Sequence, residues 1–326
     1  MNGLDFGVGL FPTEPLGKMI QLAKLSEELG FESVWVGDSH LIWREAYVNM
    51  TAIALNTSRV KIGTGVTNPL TRHPSVVASA YATLEECAPG RMIVGIGLGD
   101  SSVETMGMKP AKLSFFERSL QQLRDLFCGK EVELETGRIR LLHSCGRALP
   151  IYVAASGPRM LELSGRVADG VIVLVGVADE YIEHAKERIA AGARSAGRKL
   201  EDIRLVLWVP CAVSDRAPAR DAVKAHVARV VAHPLPYVLD PEEQKVLAEI
   251  RRTYDYYHHM DQEANHAEVI PDWLVDKFAV AGTVAECRRQ IERLSRTGIQ
   301  QVAIIPYSAP GGSREETLRG FAAAMR

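Results

Sequence analysis

Short apolar runs alternate with longer stretches of helical period along almost the whole chain, and no other feature limits its fold as strongly. Leu4–Phe11 opens the series. Leu16–Leu29 follows, with Leu16, Met19, Ile20, Ala23 and Leu29 at helical spacing and Gly30 as a C-cap. Ser33–Gly37, Val60–Gly63 and Met92–Leu98 are β-rich runs bounded by Gly, Asp or Pro, with helical stretches at Pro74–Cys87 and Ser114–Phe127. The second half repeats the cycle, with strand-like runs at Ile151–Ala154, Val171–Val175, Leu205–Val209 and Val302–Ile305. Its helical stretches are Leu161–Val167, Tyr181–Ala196, Ala285–Leu294 and Arg314–Met325. Parallel strands need crossover connections, so repeated strand–helix units predict a parallel sheet. Eight such units in 326 residues fit a (β/α)8 TIM barrel, with an open doubly wound sheet as the alternative. The strands are expected at 4–11, 33–37, 60–64, 92–98, 151–155, 171–175, 204–209 and 302–305.

Two stretches break the rhythm. Val132–Leu142 carries Thr136-Gly137 between alternating arms and predicts a small hairpin. Residues from about 216 to 276 hold no clear strand and are rich in His, Tyr, Asp and Glu. An insertion of that length suggests a lid or an interface. The expectation is one barrel domain over residues 1–326 carrying that insertion.

Composition narrows the function. A net charge of −2 offers no basic surface for a polyanion, which argues against nucleic acid as a partner. The cysteines Cys87, Cys128, Cys145, Cys211 and Cys287 are scattered and form no CxxC pair, which suits a reducing cytoplasm and not a disulfide framework or a zinc knuckle. The N-terminus lacks a basic segment before its apolar stretch, unlike a signal peptide, and no apolar run approaches the roughly 20 residues that span a bilayer. His258, His259 and His266 lie near Asp255, Asp261 and Glu263, but their irregular spacing matches no metal site, and no metal is assigned. Tyr254, Tyr256 and Tyr257 suit a substrate pocket or a contact surface.

Barrel sites form at the C-terminal ends of strands, so the residues after each run matter most. These are Pro12-Thr13-Glu14-Pro15, Asp38-Ser39-His40, Thr64 to Pro69, Gly97 to Ser101, and Ala155-Ser156-Gly157-Pro158-Arg159. Gly95-Ile96-Gly97-Leu98-Gly99 lacks the spacing of a dinucleotide fingerprint. Its glycines read instead as close approach to a flat ring or a neighbouring strand. Ser156-Gly157-Pro158 opens a helix directly after a strand, where free N–H groups hold phosphate and Arg159 adds charge. An ordinary helix cap by Ser156 is the alternative. His40 has a purely structural reading as well, and Trp35 and Trp43 read equally as core.

Four segments in order resemble the luciferase-like superfamily of flavin- and deazaflavin-dependent oxidoreductases. They are LAKLSEELGFESVWVGDSHLIWRE, RVKIGTGVTNPLTRHPSVVASAYATLEECAPGRMIVGIGLGDS, LPIYVAASGPRMLELSGRVADGVIV and GTVAECRRQIERLSRTGIQQVAII. The likeness is greatest to the methylene-tetrahydromethanopterin reductase branch and runs almost end to end. It implies a (β/α)8 barrel, a homodimer, and a ring-shaped cofactor at the strand ends. It also implies a non-prolyl cis peptide at Gly65–Val66, a bulge that backs the ring. By the same resemblance Asp38 meets the deazaflavin head, and Thr67 and Asn68 contact the ring. Leu98 and Gly99 offer backbone contacts, and Ser156, Gly157, Arg159 and Met160 hold the cofactor's phosphate.

The chain departs from the family in places. In the family's sugar-phosphate dehydrogenases a His directly follows the strand-two Asp, whereas here that place is Ser39 and His40 comes one step later. Their strand-four Glu corresponds to Asp100, and their sugar-phosphate-binding Lys and Arg residues have no counterpart, which argues against glucose 6-phosphate. The resemblance implies an oxidoreductase that moves a hydride between coenzyme F420 and a small organic substrate, with Glu14, His40 and Asp100 as candidates for proton handling. The alternatives are an FMN-dependent monooxygenase that uses O2 and flavin reduced by a partner reductase, and a non-catalytic flavoprotein.

Overall fold

The computed structural model describes residues 3–216, 218–232, 240–253 and 270–326. Its first half contains β1 (Asp5–Leu10), α1 (Leu16–Leu29), β2 (Ser33–Val36), α2 (Ala46–Asn56), β3 (Lys61–Thr64), α3 (Pro74–Cys87), β4 (Met92–Ile96), α4 (Ser101–Glu104) and α5 (Leu113–Phe127). The hairpin β5 (Val132–Leu134) and β6 (Gly137–Ile139) precedes β7 (Ile151–Ala155), α6 (Pro158–Val167), β8 (Gly170–Val173), α7 (Asp179–Ser195) and β9 (Arg204–Val213). The chain continues through α8 (Lys224–Ala232), α9 (Pro241–Thr253), α10 (Asp272–Phe278), β10 (Val280–Gly282), α11 (Val284–Leu294), β11 (Gln301–Pro306) and α12 (Arg314–Ala324).

These elements form two compact units, one of residues 10–27 and 32–154, the other of residues 1–9, 28–31 and 155–326. In the former, β2, β3, β4 and β7 pair in parallel and in chain order, with Trp35 opposite Gly63 and Val94 opposite Ile151. In the latter, β9 takes β8 and β11 as parallel neighbours, and β11 pairs with β1, Asp5 opposite Gln301. Pairing of the first strand with the last is what a (β/α)8 barrel requires and an open doubly wound sheet lacks. The fold class is therefore the barrel. β2, β4, β8 and β11 are buried along their whole length, as continuous Val- and Ile-rich runs covered on both faces should be.

The departures from expectation have local causes. β9 runs to Val213, past the expected end at 209, because its last residues gain β10 as a partner, Cys211 opposite Val280. Three residues are too few to show a period, so β10 left no sequence signal. α2 left none either, because its apolar residues Val48, Met50, Ile53 and Leu55 surround the helix without a polar stripe. The hairpin forms as expected, with Glu133 opposite Arg138. The described secondary structure of the 216–276 stretch is helical, with no strand among its described residues. His258, His259, His266, Asp255, Asp261, Glu263, Tyr254, Tyr256 and Tyr257 lie outside the described residues. Among the described residues, no helix is long and apolar enough to cross a membrane and no cluster of three His, Cys, Asp or Glu could hold a metal.

α6 and α7 pack backbone against backbone through two glycines. A Cβ on Gly192 would fall 1.9 Å from the Glu162 carbonyl oxygen, and one on Gly165 would fall 2.1 Å from that of Ile189. Neither backbone can yield locally, so Gly165→Ala and Gly192→Ala should each lower stability by about 1–3 kcal/mol, the range of overpacking changes. Thermal melts would read this as a lower Tm. Gly17→Ala, which lies in α1 and meets nothing within 4 Å, serves as the control and should leave the Tm unchanged or raise it.

Candidate functional site

In the unit built on β2, β3 and β4, the loops after successive strands are tied to one another. Arg44 donates to the Thr13 carbonyl at 2.6 Å, and the Trp43 ring stacks on Phe11 at 4.4 Å. The loop after β1 is thereby clamped to the loop after β2. Gly37 permits the stack, since a Cβ there would fall 2.6 Å from the Phe11 ring.

Asp38 sits at the centre of these loops, only 4 % exposed. Arg72 grips it with both prongs, Nε to Oδ2 at 2.8 Å and a terminal nitrogen to Oδ1 at 2.9 Å, and Thr67 Oγ1 donates to Oδ2 at 2.8 Å. A bidentate, charge-assisted pair is what offsets removal of a carboxylate from water. Arg72 also bonds Glu45, the N-cap of α2, and lies 4.5 Å over the Tyr47 ring. Burial works against the Arg72 charge, but the hydrogen bonds and charge of Asp38 outweigh it and keep the guanidinium protonated. Burial likewise raises the phenols of Tyr47 and Tyr81 well above their ordinary range, so both stay neutral. A carboxylate has about four acceptor positions. Three of Asp38's are filled from within the protein, leaving room for one further donor.

After β3 the Gly65–Val66 peptide bond is cis, as the family resemblance implied. The residues around it are pinned to neighbouring strands: Gly65 N–H to Val36 O at 2.7 Å, Thr67 N–H to Gly95 O at 3.0 Å, and Gly97 N–H to Thr67 O at 2.9 Å. The Tyr81 hydroxyl supports the step from beneath, accepting from Thr64 N–H at 3.0 Å and lying within hydrogen-bond distance of the Ile93 carbonyl. The glycines of β4 make room for this arrangement. A Cβ on Gly95 would meet the Thr64 carbonyl at 1.9 Å, and one on Gly97 would meet Val66 at 3.2 Å. Close strand approach thus accounts for Gly95 and Gly97, and no dinucleotide fingerprint is needed.

Asn68, 1 % exposed, is fully engaged by the protein. Its Oδ1 accepts from Leu70 and Thr71 N–H, and its Nδ2 donates to Thr71 Oγ1 and Ser102 Oγ, both at 2.9 Å. Its side chain shapes the loop, so only its backbone is left for a ligand. Ser39 and Ser101 share a hydroxyl hydrogen bond of 2.7 Å, which joins the loop after β2 to α4. Gly99, at φ +97°, turns the chain from β4 into that helix, and the half-exposed Leu98 accepts from Ala111 N–H through its carbonyl. Asp100 stands at the N-cap of α4, half-buried, without a side-chain bond to the helix. Glu14 is half-buried in the loop after β1, whereas His40 is exposed and bonds to no described residue.

In the other unit, two residues, Ser156 and Gly157, separate the end of β7 from the start of α6. Its N-cap is Gly157, with no capping side chain, no acid in the first turn and Pro158 at N1. The cap by Ser156 considered above therefore does not form. The N–H groups of Ser156, Gly157 and Arg159 bond to no described residue. Arg159 is exposed and Met160 is buried, so Met160 offers its backbone only. A helix start with free donors, a favourable dipole, a cation and no acid of its own fits a phosphate group.

Sequence reasoning missed Arg72 and the bond that joins Ser101 to Ser39. For Arg72 a signal existed: a buried Asp38 demands a cation, and Arg72 is the cation between β3 and α3. For Ser101 there was none, since a serine pair across 62 residues is visible only in three dimensions.

The profile of the luciferase-like monooxygenase family matches residues 5–301. A 5,10-methylenetetrahydromethanopterin reductase of Methanolobus tindarius is 31 % identical, over 97 % of this chain and 98 % of that protein. An F420-dependent glucose-6-phosphate dehydrogenase of Beutenbergia cavernae is 33 % identical, over 76 % of this chain and 80 % of that protein. The solved coenzyme F420-dependent tetrahydromethanopterin reductase of Methanopyrus kandleri superposes with a TM-score of 0.80 at 26 % identity, covering 98 % of this chain and 97 % of its own. The profile and the full-length kinship show that this chain belongs to the luciferase-like monooxygenase family.

Proposed function

We propose that the chain is an oxidoreductase that transfers a hydride between coenzyme F420 and a small organic substrate. Kinship over 97 % of its length with a 5,10-methylenetetrahydromethanopterin reductase, together with the likeness to the solved coenzyme F420-dependent tetrahydromethanopterin reductase, carries the reading. The cofactor, when bound, supplies the two-electron chemistry, and the protein positions it and controls proton transfer. Ser156, Gly157 and Arg159, with the Met160 backbone, would hold the phosphate. Thr67, Asn68, Leu98 and Gly99 would meet the ring through their backbone. The remaining acceptor position of Asp38 would take a ring donor, and Gly65 and Val66 would back the ring.

Among the acid–base candidates, Glu14 and Asp100 remain assigned to proton handling. His40 is the weakest of the three, because an exposed imidazole without a partner has nothing to orient it. Ser39, at the place of the sugar-phosphate dehydrogenases' His, is bonded to Ser101 and does not titrate in the physiological range. This supports a substrate other than a sugar phosphate.

We assign residues 1–326 to one barrel domain with an insertion at about 216–276. Its support is the anchoring of the insertion helices. Glu243 on α9 is buried, bonded to Lys277 on α10 and to Tyr181 on α7 at 2.9 Å, beside the loop that follows β8. Such anchoring suits a cover over the strand ends of its own unit. A separate reductase of coenzyme F420 or flavin would supply the reduced cofactor.

The chain would act as a homodimer, for which α2 and α3 offer an apolar face: Val48 is 57 %, Leu55 67 % and Val76 53 % exposed. Light scattering should give a dimer that Val48→Glu together with Leu55→Glu converts to monomer. A wild-type monomer, or a dimer untouched by both charges, would contradict the assignment.

The cofactor assignment is tested by titrating coenzyme F420 and FMN separately, by fluorescence and absorbance. Coenzyme F420 should bind tighter; tighter FMN binding would favour the monooxygenase alternative. Ser156→Ala should weaken coenzyme binding by only about 1 kcal/mol, the worth of one hydrogen bond. Gly157→Val should weaken it more, and Arg159→Glu should weaken it while flattening its salt dependence, because a screened attraction is lost. Wild-type affinity in Gly157→Val would sink the phosphate assignment.

A further inference from the structure

Cys128 and Cys145 are scattered in sequence, but the β5–β6 hairpin between them returns the chain to the end of α5. Cys128 is the C-cap of that helix, its N–H directed at the carbonyls of Arg124 and Leu126. The hairpin pairs Val132 with Ile139 and carries the chain back towards the cap. A Cβ on Gly129 would fall 2.7 Å from Ser144 Oγ and 3.5 Å from Ser144 Cβ. The second distance is the Cβ separation of residues that a disulfide can bridge. Cys128 and Cys145 flank this contact, one on the outgoing chain and one on the returning chain. Both thiols are free and half-buried.

The returning chain is pinned on both sides of Cys145. His143 Nε2 lies 3.1 Å from Ser79 Oγ on α3, and Arg147 pairs with Glu85 of the same helix. Glu85 is itself fixed, because its Oε1 also accepts from Gly90 N–H at 2.6 Å. Cys145 therefore sits on a braced loop and Cys128 on a helix end, which holds the two thiols as neighbours. Burial and the Glu85 carboxylate raise the Cys145 thiol above its ordinary value, Arg147 works the other way, and Cys128 adds to the rise. Each thiol is thus within electrostatic reach of the other. Cys211 on β9 and Cys287 on α11 give the contrast. Both are buried, which raises both thiols, that of Cys287 to about 12 with help from the charges of Glu286 and Asp215. A buried thiol of that kind is inert to an aqueous oxidant.

We propose that Cys128 and Cys145 form a redox-sensitive modification site, closed by a reversible disulfide that ties the hairpin segment to α5. The oxidant is a small disulfide such as oxidised glutathione. One protein thiolate attacks its S–S bond and releases one glutathione. The other attacks the resulting mixed disulfide and releases the second. The two protein sulfurs lose two electrons and two protons, and two glutathione thiols gain them. In a reducing medium the exchange runs backwards, so the bond is conditional and not part of a disulfide framework. The same segment grips α3 at Ser79 and Glu85, on either side of Tyr81, whose hydroxyl supports the step at Gly65–Val66. Closing the clip therefore stiffens the support of that step without touching a ligand.

The test uses the whole chain in glutathione buffers that run from reduced to oxidised. In the oxidised buffer the intact mass should fall by two hydrogens, and a peptide map without reductant should join the Cys128 and Cys145 peptides. Dithiothreitol should reverse both changes. Cys87→Ser should leave the cross-link intact, and Cys211 and Cys287 should stay thiols. The oxidised wild type should melt about 4 °C above the reduced form, the effect of closing a short loop in a chain of this size. Cys145→Ser and Cys128→Ala should each abolish that difference between oxidised and reduced forms. Glutathione that stays on Cys145 as a mixed disulfide, or a bridge from Cys145 to Cys87, would overturn the proposal. So would a difference in Tm that survives in Cys145→Ser.

Discussion

A carboxylate removed from water must find its charge elsewhere in the protein, and the loops after β2 and β3 are arranged around that need at Asp38. Arg72 meets it with two hydrogen bonds, and Thr67 adds a third. Because Thr67 is also paired to β4, the carboxylate fixes the segment that contains Gly65 and Val66. Arg72 reaches on to Glu45, so the N-terminus of α2 is held by the same charge. One buried anion therefore sets both loops, and the Asn68–Ser102 and Ser39–Ser101 bonds tie them to α4. Most polar side chains there are engaged by one another, and what they present outward is shaped backbone with one acceptor position. Such a surface suits a flat, preorganised ring better than a flexible polar ligand.

The start of α6 follows a different rule. At α6 the sequence withholds what a helix start ordinarily receives: no capping side chain and no acid in the first turn. α11 and α12 show the contrast. Thr283 and Ser313 cap them, and Glu286 and Glu316 reach back to close the box. Those two starts are satisfied internally, whereas that of α6 is open to an external anion.

How far the sequence revealed this depended on the range of each interaction. The eight barrel strands were legible because runs such as Gly170–Val173 and Met92–Ile96 are buried on both faces and so uniformly apolar. α2 was not, for a related reason: exposed Val48 and Leu55 erase the polar stripe that marks a surface helix. At the site, the helix start at Ser156–Arg159 was legible from the residues themselves, whereas the Gly65–Val66 step and the parts given to Asp38 and Met160 came through family resemblance. The bonds that their side chains make were not legible. Asn68 looked like a ring contact, but four hydrogen bonds engage it in its own loop. Pairs such as Tyr181 and Glu243, 62 residues apart, leave no local pattern to read.

The central claim is that the ion pair of Asp38 and Arg72 preorganises the surface that receives the coenzyme. A double-mutant cycle on coenzyme F420 affinity, with Asp38→Asn, Arg72→Met and the double variant, tests it most directly. Each single change should weaken binding about tenfold or more, and the double variant should bind no worse than the weaker single, because groups of one network do not add. Wild-type affinity in Arg72→Met, or strictly additive losses in the double variant, would contradict the account.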